Sequence, residues 1–379
     1  MKSGMLILLC LMSIQLFAQN DTSATYPPTL DNNVKFKLSG YSFFNYAKPS
    51  DDNGGFVEAT FSPIFTWRPS DKLFFQTEVE FASSGENYDG SFELEFATLN
   101  YIVNKNITLY AGKFLGPLGT FQARYHPAWI NRSVNKPIGF GNSVNDLKRL
   151  EAGSEAGVGI KGVLPAGNMK FTYDIYLANG GILDPSTGNV EMESFADNNK
   201  NKAIGGRLAL LPLSNSSLEI GVSGYTAKIG NPGSMYENTR ANIFALDLNF
   251  VKATSVGIFD IKGEYQQRTV DNGIRYYVDD SDMVGFTYNN NPSVSYLQLA
   301  YRLPAVDGNN WVHRFELVGR MASMNVDANS PYGRTMTDLT LGINYWLNFS
   351  TVFKLGYDIP NYNGTAGTNV LTLQAAMGF

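Results

Sequence analysis

Leu371-Thr372-Leu373-Gln374-Ala375-Ala376-Met377-Gly378-Phe379 decides the fold class of this chain. Leu371, Leu373, Ala375, Met377 and Phe379 share one side of an extended backbone, while Thr372, Gln374, Ala376 and Gly378 share the other. The pattern recurs upstream. Phe75, Thr77, Val79 and Phe81 alternate with Gln76, Glu78 and Glu80; Phe92, Leu94 and Phe96 alternate with Glu93 and Glu95; Val34, Phe36 and Leu38 alternate with Lys35 and Lys37. An apolar face against lipid and a polar face against a wet interior is the pattern of strands in a transmembrane β-barrel.

Sixteen such segments can be traced, approximately 34–46, 56–67, 72–82, 91–103, 107–114, 154–164, 168–179, 202–211, 217–227, 240–251, 256–268, 293–303, 311–321, 335–347, 351–358 and 369–379. Every second connection is short, as at 68–71, 104–106, 165–167, 212–216 and 348–350; the others include 115–153, 180–201, 269–292 and 322–334. Short turns at one end and long loops at the other are expected of an outer-membrane barrel. The expectation is therefore an all-β antiparallel barrel of sixteen strands, with fourteen to eighteen compatible with the pattern. A soluble β-sandwich or propeller is the alternative fold, but it would carry more Lys and Glu on its polar faces.

Composition agrees with a barrel. Only 17% of the 379 residues are charged, against about a quarter in average domains. The apolar residues are dispersed among 37 Gly and many Asn, Ser and Thr, and the abundant large residues are 25 Phe and 21 Tyr, which favour half-buried pleated surfaces. Residues 1–18 read as a signal peptide, with Lys2 as the positive region, an apolar run from Met5 and cleavage after Ala18. Residues 19–33 read as a short periplasmic lead-in and 34–379 as the barrel. Cys10, the single cysteine, falls inside that leader, so the mature chain holds no disulfide. The net charge of −5 becomes −6 once Lys2 is removed; such acidity argues against nucleic acid as a partner.

Residues 115–153 lack alternation and combine Gly116, Pro117, Gly119, Pro127, Pro137, Gly139 and Gly141 with Phe121, Tyr125, Trp129 and Phe140. An aromatic loop of this length needs something to pack on, and in a barrel that place is the lumen, so a constriction loop is expected. Arg124, Arg132, Lys136, Lys148 and Arg149 face only Asp146, a local balance of five minus one, +4. Together with Lys113 and His126 they are the candidate solute contacts, and Glu78, Glu80, Glu93 and Glu95 are the candidate opposing wall. Two readings stay open: a transverse field that favours anions, or local pairing of bases with wall carboxylates that leaves no selectivity.

Leu109-Tyr110-Ala111-Gly112-Lys113-Phe114-Leu115-Gly116-Pro117-Leu118-Gly119 resembles the phosphate-selective porin O and P family, especially its Bacteroidetes-type members, whose strand ends in Gly-Lys/Gln-Phe followed by Pro. Phe379, with apolar residues at alternate positions before it, is similar to the assembly signal of outer-membrane barrels. The resemblance implies a sixteen-stranded, trimeric, passive diffusion channel in the bacterial outer membrane, with a loop-lined constriction and Lys113 and Arg124 as anion contacts. The chain departs from the family in one respect: its other candidate lumen bases, Lys161, Arg207, Arg302, Arg314, Arg320 and Lys354, are scattered rather than stacked as an arginine ladder. Small hydrophilic solutes are therefore the expected cargo, with anion or phosphate preference as the finer expectation.

No HExxH, CxxC or GxSxG pattern occurs, and His126 and His313 are far apart. No cofactor, metal or enzymatic activity is expected, an outer-membrane hydrolase being the weakest alternative. Asp279-Asp280-Ser281-Asp282 lacks the spacing of a calcium loop and reads as a solvated external loop, with weak divalent-ion or lipopolysaccharide bridging as the lesser reading. Asn131-Arg132-Ser133 matches a glycosylation sequon by chance. Long loops such as 180–201 and 269–292 suit an alternative role as adhesin or envelope-complex partner, and Gly157 and Gly159 suit an outward, small-residue subunit contact of a homotrimer.

Overall fold

Period-two alternation becomes hydrogen-bonded strand at each of the sixteen expected places. The computed structural model describes residues 35–84, 90–141, 150, 153–192, 195–277, 285–304 and 311–379. The expected leader, the lead-in, Lys148, Arg149 and the Asp279–Asp282 stretch lie outside these residues. The first five strands are β1 (Phe36–Pro49), β2 (Gly55–Trp67), β3 (Leu73–Ser84), β4 (Gly90–Asn104) and β5 (Ile107–Leu115). Then come β6 (Ser154–Ala166), β7 (Met169–Ala178), β8 (Ala203–Leu211), β9 (Leu218–Lys228), β10 (Arg240–Thr254) and β11 (Gly257–Val270). The last are β12 (Ser293–Arg302), β13 (Phe315–Asn325), β14 (Thr335–Trp346), β15 (Thr351–Tyr362) and β16 (Val370–Gly378).

Each strand pairs antiparallel with its neighbours in chain order, and β16 returns to β1 in register from Tyr41↔Gly378 to Pro49↔Val370. Gly40 and Phe379 extend that seam by exchanging two backbone hydrogen bonds of 2.9 Å. Closure leaves no free strand edge, so the backbone groups of each strand find partners on both neighbours without water.

The two faces are sorted opposite to those of a soluble protein. Leu297 and Leu299 on β12 are each 50% exposed, as are Leu341 on β14 and Leu373 on β16. On β11 the inward positions Asp260, Lys262, Glu264, Gln266 and Arg268 are all buried. Large apolar side chains around the whole outside mark a surface made for lipid, and that removes the soluble sandwich or propeller.

Local irregularities correct some of the reading from pattern alone. Opposite Glu78 and Val79 the partners are Phe96 and Leu94, so Glu95 is the extra residue of a β-bulge. The bulge breaks the parity: Phe92 and Leu94 stay exposed outside, whereas Phe96 turns to line an interior cavity. Strand β13 starts at Phe315 rather than at residue 311, because Val312–Arg314 form a turn of 3-10 helix. Arg314 therefore belongs to a connection, not to the lumen wall. Gly159 also lies inside, under the buried Tyr110 ring, where a Cβ would come within 2.2 Å of its Cζ. Its face is not an outward subunit contact.

Two-residue turns at 105–106, 167–168 and 255–256 mark one end of the barrel. The long connections 116–153, 179–202 and 271–292 all leave the other end, although that end also carries the brief links 50–54 and 85–89. Within 179–202, Ile182–Leu183 pairs with Val190–Glu191, and within 271–292, Tyr276–Tyr277 pairs with Gly285–Phe286. These connections pack on one another. Leu183, Val190, Met192, Ile229, Tyr236 and Tyr276 share an apolar cluster with Tyr176 and Tyr225 of the wall.

Candidate functional site

The segment after β5 is held at its base by Gly116 N–H donating to Gly153 C=O at 2.8 Å. Gly119, at φ +75°, then turns the chain against β11, where a Cβ would lie 1.8 Å from Glu264 Oε1. Only glycine meets both demands. Glu264 accepts the N–H groups of Thr120 and Phe121 at 2.9 Å each, and Ser223 Oγ accepts that of Gly119 at 3.0 Å. Gln266 donates to Leu118 C=O at 3.0 Å. Phe121–Tyr125 follow as a single π-helical turn. Phe121 and Phe140 pack edge-to-face on Tyr296 of β12 at 5.7 and 5.2 Å between ring centres.

Further along, inward side chains of β13 to β16 receive the segment's own backbone. Lys354 Nζ donates to the carbonyls of Ala128, Asn131 and Ser133 at 2.5, 2.6 and 3.0 Å. Gln374 donates to Val134 C=O at 2.9 Å, Asn344 to Arg132 C=O at 2.9 Å, and Arg320 to Asn135 C=O at 2.7 Å. Asn135 in turn donates to Asp358 at 2.8 Å. Trp129 lies over Gly378, where a Cβ would meet its indole at 2.5 Å. Irregular backbone at membrane depth is tolerable only where protein satisfies it in this way.

The expected bases fall into three groups. Arg124 pairs with Glu219 of β9 at 2.9 Å, and Arg132 pairs with Asp260 of β11 at 3.1 Å while stacking on Trp346 at 4.9 Å. His126 Nδ1 sits 2.6 Å from Gln122 C=O and its Nε2 is 3.9 Å from Glu78. Lys136 lines a smaller opening of about 200 Å³ with Glu58 and Glu80. Lys113 is elsewhere. It shares parity with the exposed Leu109 and Ala111, opposite the buried Tyr110 and Phe114, and its ammonium bonds the Leu94 carbonyl at 2.5 Å beside the Glu95 bulge. The strand period thus turns Lys113 outward, away from the lumen.

Of the expected acidic wall, Glu78 and Glu95 are buried, and Glu80 accepts from Tyr41 and Ser62 at 3.4 and 3.3 Å. Glu93 pairs in register with Glu80 and is exposed. Among the described bases, His126 comes within 3.9 Å of this wall, at Glu78. The carboxylates that hold the bases, Glu219 and Asp260 with Glu316 behind them, were not among the expected residues. Alternation on β9 and β11 marks them as inward, but nothing local says which base each one meets. The Asn131 side chain, buried and donating to Asn135 C=O at 2.7 Å, is no surface sequon.

A larger cavity of about 460 Å³ lies between the segment and the opposite wall. It is lined by Gln76, Phe96, Thr98, Tyr110, Arg124, Lys161, Thr172, Asp174 and Arg207, among others. Among the described residues no cluster of three His, Cys, Asp or Glu is placed to hold a metal ion.

No protein-family model matches the chain, and no curated protein sequence matches it. Solved structures do. The anion-selective porin from Comamonas acidovorans superposes with a TM-score of 0.57 at 14% identity, covering 91% of this chain and 99% of that one. OmpF of Salmonella typhi, in complex with daunomycin, gives 0.57 at 11% identity over 91% and 97%. The outer membrane channel DcaP of Acinetobacter baumannii gives 0.54 at 11% identity over 91% and 97%. At these identities the likeness is one of fold, a closed sixteen-stranded barrel.

Proposed function

We propose that this protein is an outer-membrane porin through which small hydrophilic solutes diffuse passively. The observation that carries the reading is the combination of a closed barrel, apolar outside, with a polar cavity of about 460 Å³ beside a segment hydrogen-bonded to the facing wall. A segment held by β9, β11 and β13 to β16 narrows the lumen to the arc along β3 to β8 and acts as the constriction. In this reading residues 1–18 are the export signal, and the barrel sits in the outer membrane, a location that the exposed apolar belt supports, with lipopolysaccharide against its outer leaflet and a homotrimer as the assembly. Arg124, Arg132, Lys136 and His126 are the proposed lining of the constriction.

Liposome swelling with sugars and anions of graded size tests the reading. Entry of small solutes with a size cut-off is expected. A barrel that served only as adhesin or envelope-complex partner would admit none, and that result would refute the proposal. N-terminal sequencing of the mature protein should begin at Gln19.

A further inference from the structure

Six charged side chains around the larger cavity form one connected set. On β6, β7 and β8 the inward residues Lys161, Asp174 and Arg207 are register partners, so one carboxylate stands between two cations. Arg207 then reaches over β9 to Asp247 on β10, with Nε to Oδ2 at 2.8 Å and Nη2 to Oδ1 at 2.6 Å. It can do so because Gly221 lies between them. A Cβ there would sit 2.5 Å from Nη2 and 2.3 Å from Asp247 Oδ2. The remaining nitrogen of Arg207 meets Glu219 at 2.9 Å, and Glu219 also holds Arg124 of the crossing segment. Three cations (Arg124, Lys161, Arg207) face three carboxylates (Asp174, Glu219, Asp247), so the set sums to zero.

Selection of anions needs unpaired positive side chains along the path. Here Arg207 is only 5% exposed and already bonded by two carboxylates, so an anion would have to displace a partner that geometry has placed. Asp174 also accepts from Tyr110 at 2.6 Å, and Lys161 lies 4.9 Å over the Tyr110 ring. A solute also meets the uncharged hydrogen-bonding capacity of Gln76 and Thr98 and the ring faces beside them, while the exposed parts of Arg124 and Lys161 stand beside Glu219 and Asp174, which balance their charge. The volume is within the ~300–1,000 Å³ range of small-molecule sites.

We infer that this passage selects against net charge and admits uncharged, hydroxyl-rich solutes of the sugar class ahead of anions of equal size. The inference rests on the diffusion reading and names its substrate class. The test is isosmotic swelling of liposomes holding the full-length purified protein, in glucose and in potassium gluconate. Glucose should enter several-fold faster. Glu219→Gln leaves Arg124 and Arg207 one carboxylate short and should raise the gluconate-to-glucose ratio several-fold. Lys161→Met should lower it, and Arg124→Gln combined with Glu219→Gln should restore the original ratio. Heat-modified migration checks that each barrel is folded; if Glu219→Gln fails that check, Asp174→Asn carries the same expectation. Gluconate entering the unaltered protein as fast as glucose overturns the inference, as does an unchanged ratio in a folded variant with one carboxylate fewer. Swelling in neither solute overturns the diffusion reading beneath it.

Discussion

Replacing Lys354 with Met tests how the crossing segment is kept in place. The lysine ammonium is buried and donates to three carbonyls of the segment, those of Ala128, Asn131 and Ser133. Methionine fills much the same space but donates nothing. Each buried carbonyl left without a partner costs about 1–3 kcal/mol, and removing the ammonium also removes the cost of desolvating it, several kcal/mol for a buried ion. Three carbonyls at about 2 kcal/mol each, less about 3 kcal/mol of relieved desolvation, leave roughly 3 kcal/mol less hold on the segment. That corresponds to about a hundredfold rise in the detached population. The strand ladder of β15 uses backbone groups and is untouched, so heat-modified migration of the barrel should not change. Two measurements follow from detachment. Trypsin should cut after Arg124 or Arg132 in the variant while sparing the parent, and single-channel traces should show added noise and a larger conductance level. A folded variant with parental protease resistance and quiet parental conductance would refute the reasoning, because three carbonyls would then have lost their donor at no cost.

Gly119→Ala should also loosen the segment, by ~1–3 kcal/mol for a strained φ on top of the clash with Glu264 Oε1 at 1.8 Å; the readout is faster tryptic cleavage at Arg124. Cysteines at the register partners Phe43 and Ala376 should cross-link in the folded barrel and stay reduced in protein unfolded before oxidation, with absence of the link in folded protein counting against closure at β1 and β16. Asp184, in the connection 179–202, is partly buried, which opposes its charge, yet hydrogen bonds from the side chains and backbone of Ser186 and Thr187 outweigh this and hold its pKa below the ordinary carboxylate value. A depressed carboxylate stabilises above the unfolded value of about 3.9 and ceases to do so as pH falls through the folded one. Proteolysis of that connection by an acid-active protease should therefore rise below about pH 4 in the parent and lose this dependence in Asp184→Asn.

Much of the fold was legible because a barrel writes each strand twice, once in its apolar face and once in its polar one. Leu371 to Phe379 and the β11 run Asp260, Lys262, Glu264, Gln266 and Arg268 are readable residue by residue. The candidate site was legible only in part. Basic residues in the segment after β5 were visible as a charge excess, and its aromatics as a need for packing partners, which Tyr296 meets for Phe121 and Phe140. Lys113 was misplaced because a family-like motif outweighed the parity that Leu109 and Ala111 already implied. Phe96 was misplaced because a bulge at Glu95 has no signature in the alternation around it.

Side-chain period, turn residues and the absence of long apolar runs are local properties, and they sufficed for strand number, strand order and the sorting of lipid from lumen. Ladder pairing between neighbours then adds little information that chain order does not already contain. Partnership across the lumen is different in kind. Glu219 and Arg124, Lys354 and the Ala128 carbonyl, and Trp129 and Gly378 are far apart in sequence and meet only when the barrel closes around the segment. Which base finds which carboxylate decides whether a charge in the lumen is free to meet a solute, and that pairing exists only in three dimensions. A charge excess counted along residues 115–150 pointed toward anions; of those charges Arg124 reaches the larger cavity, where it stands with Lys161 and Arg207 among Glu219, Asp174 and Asp247.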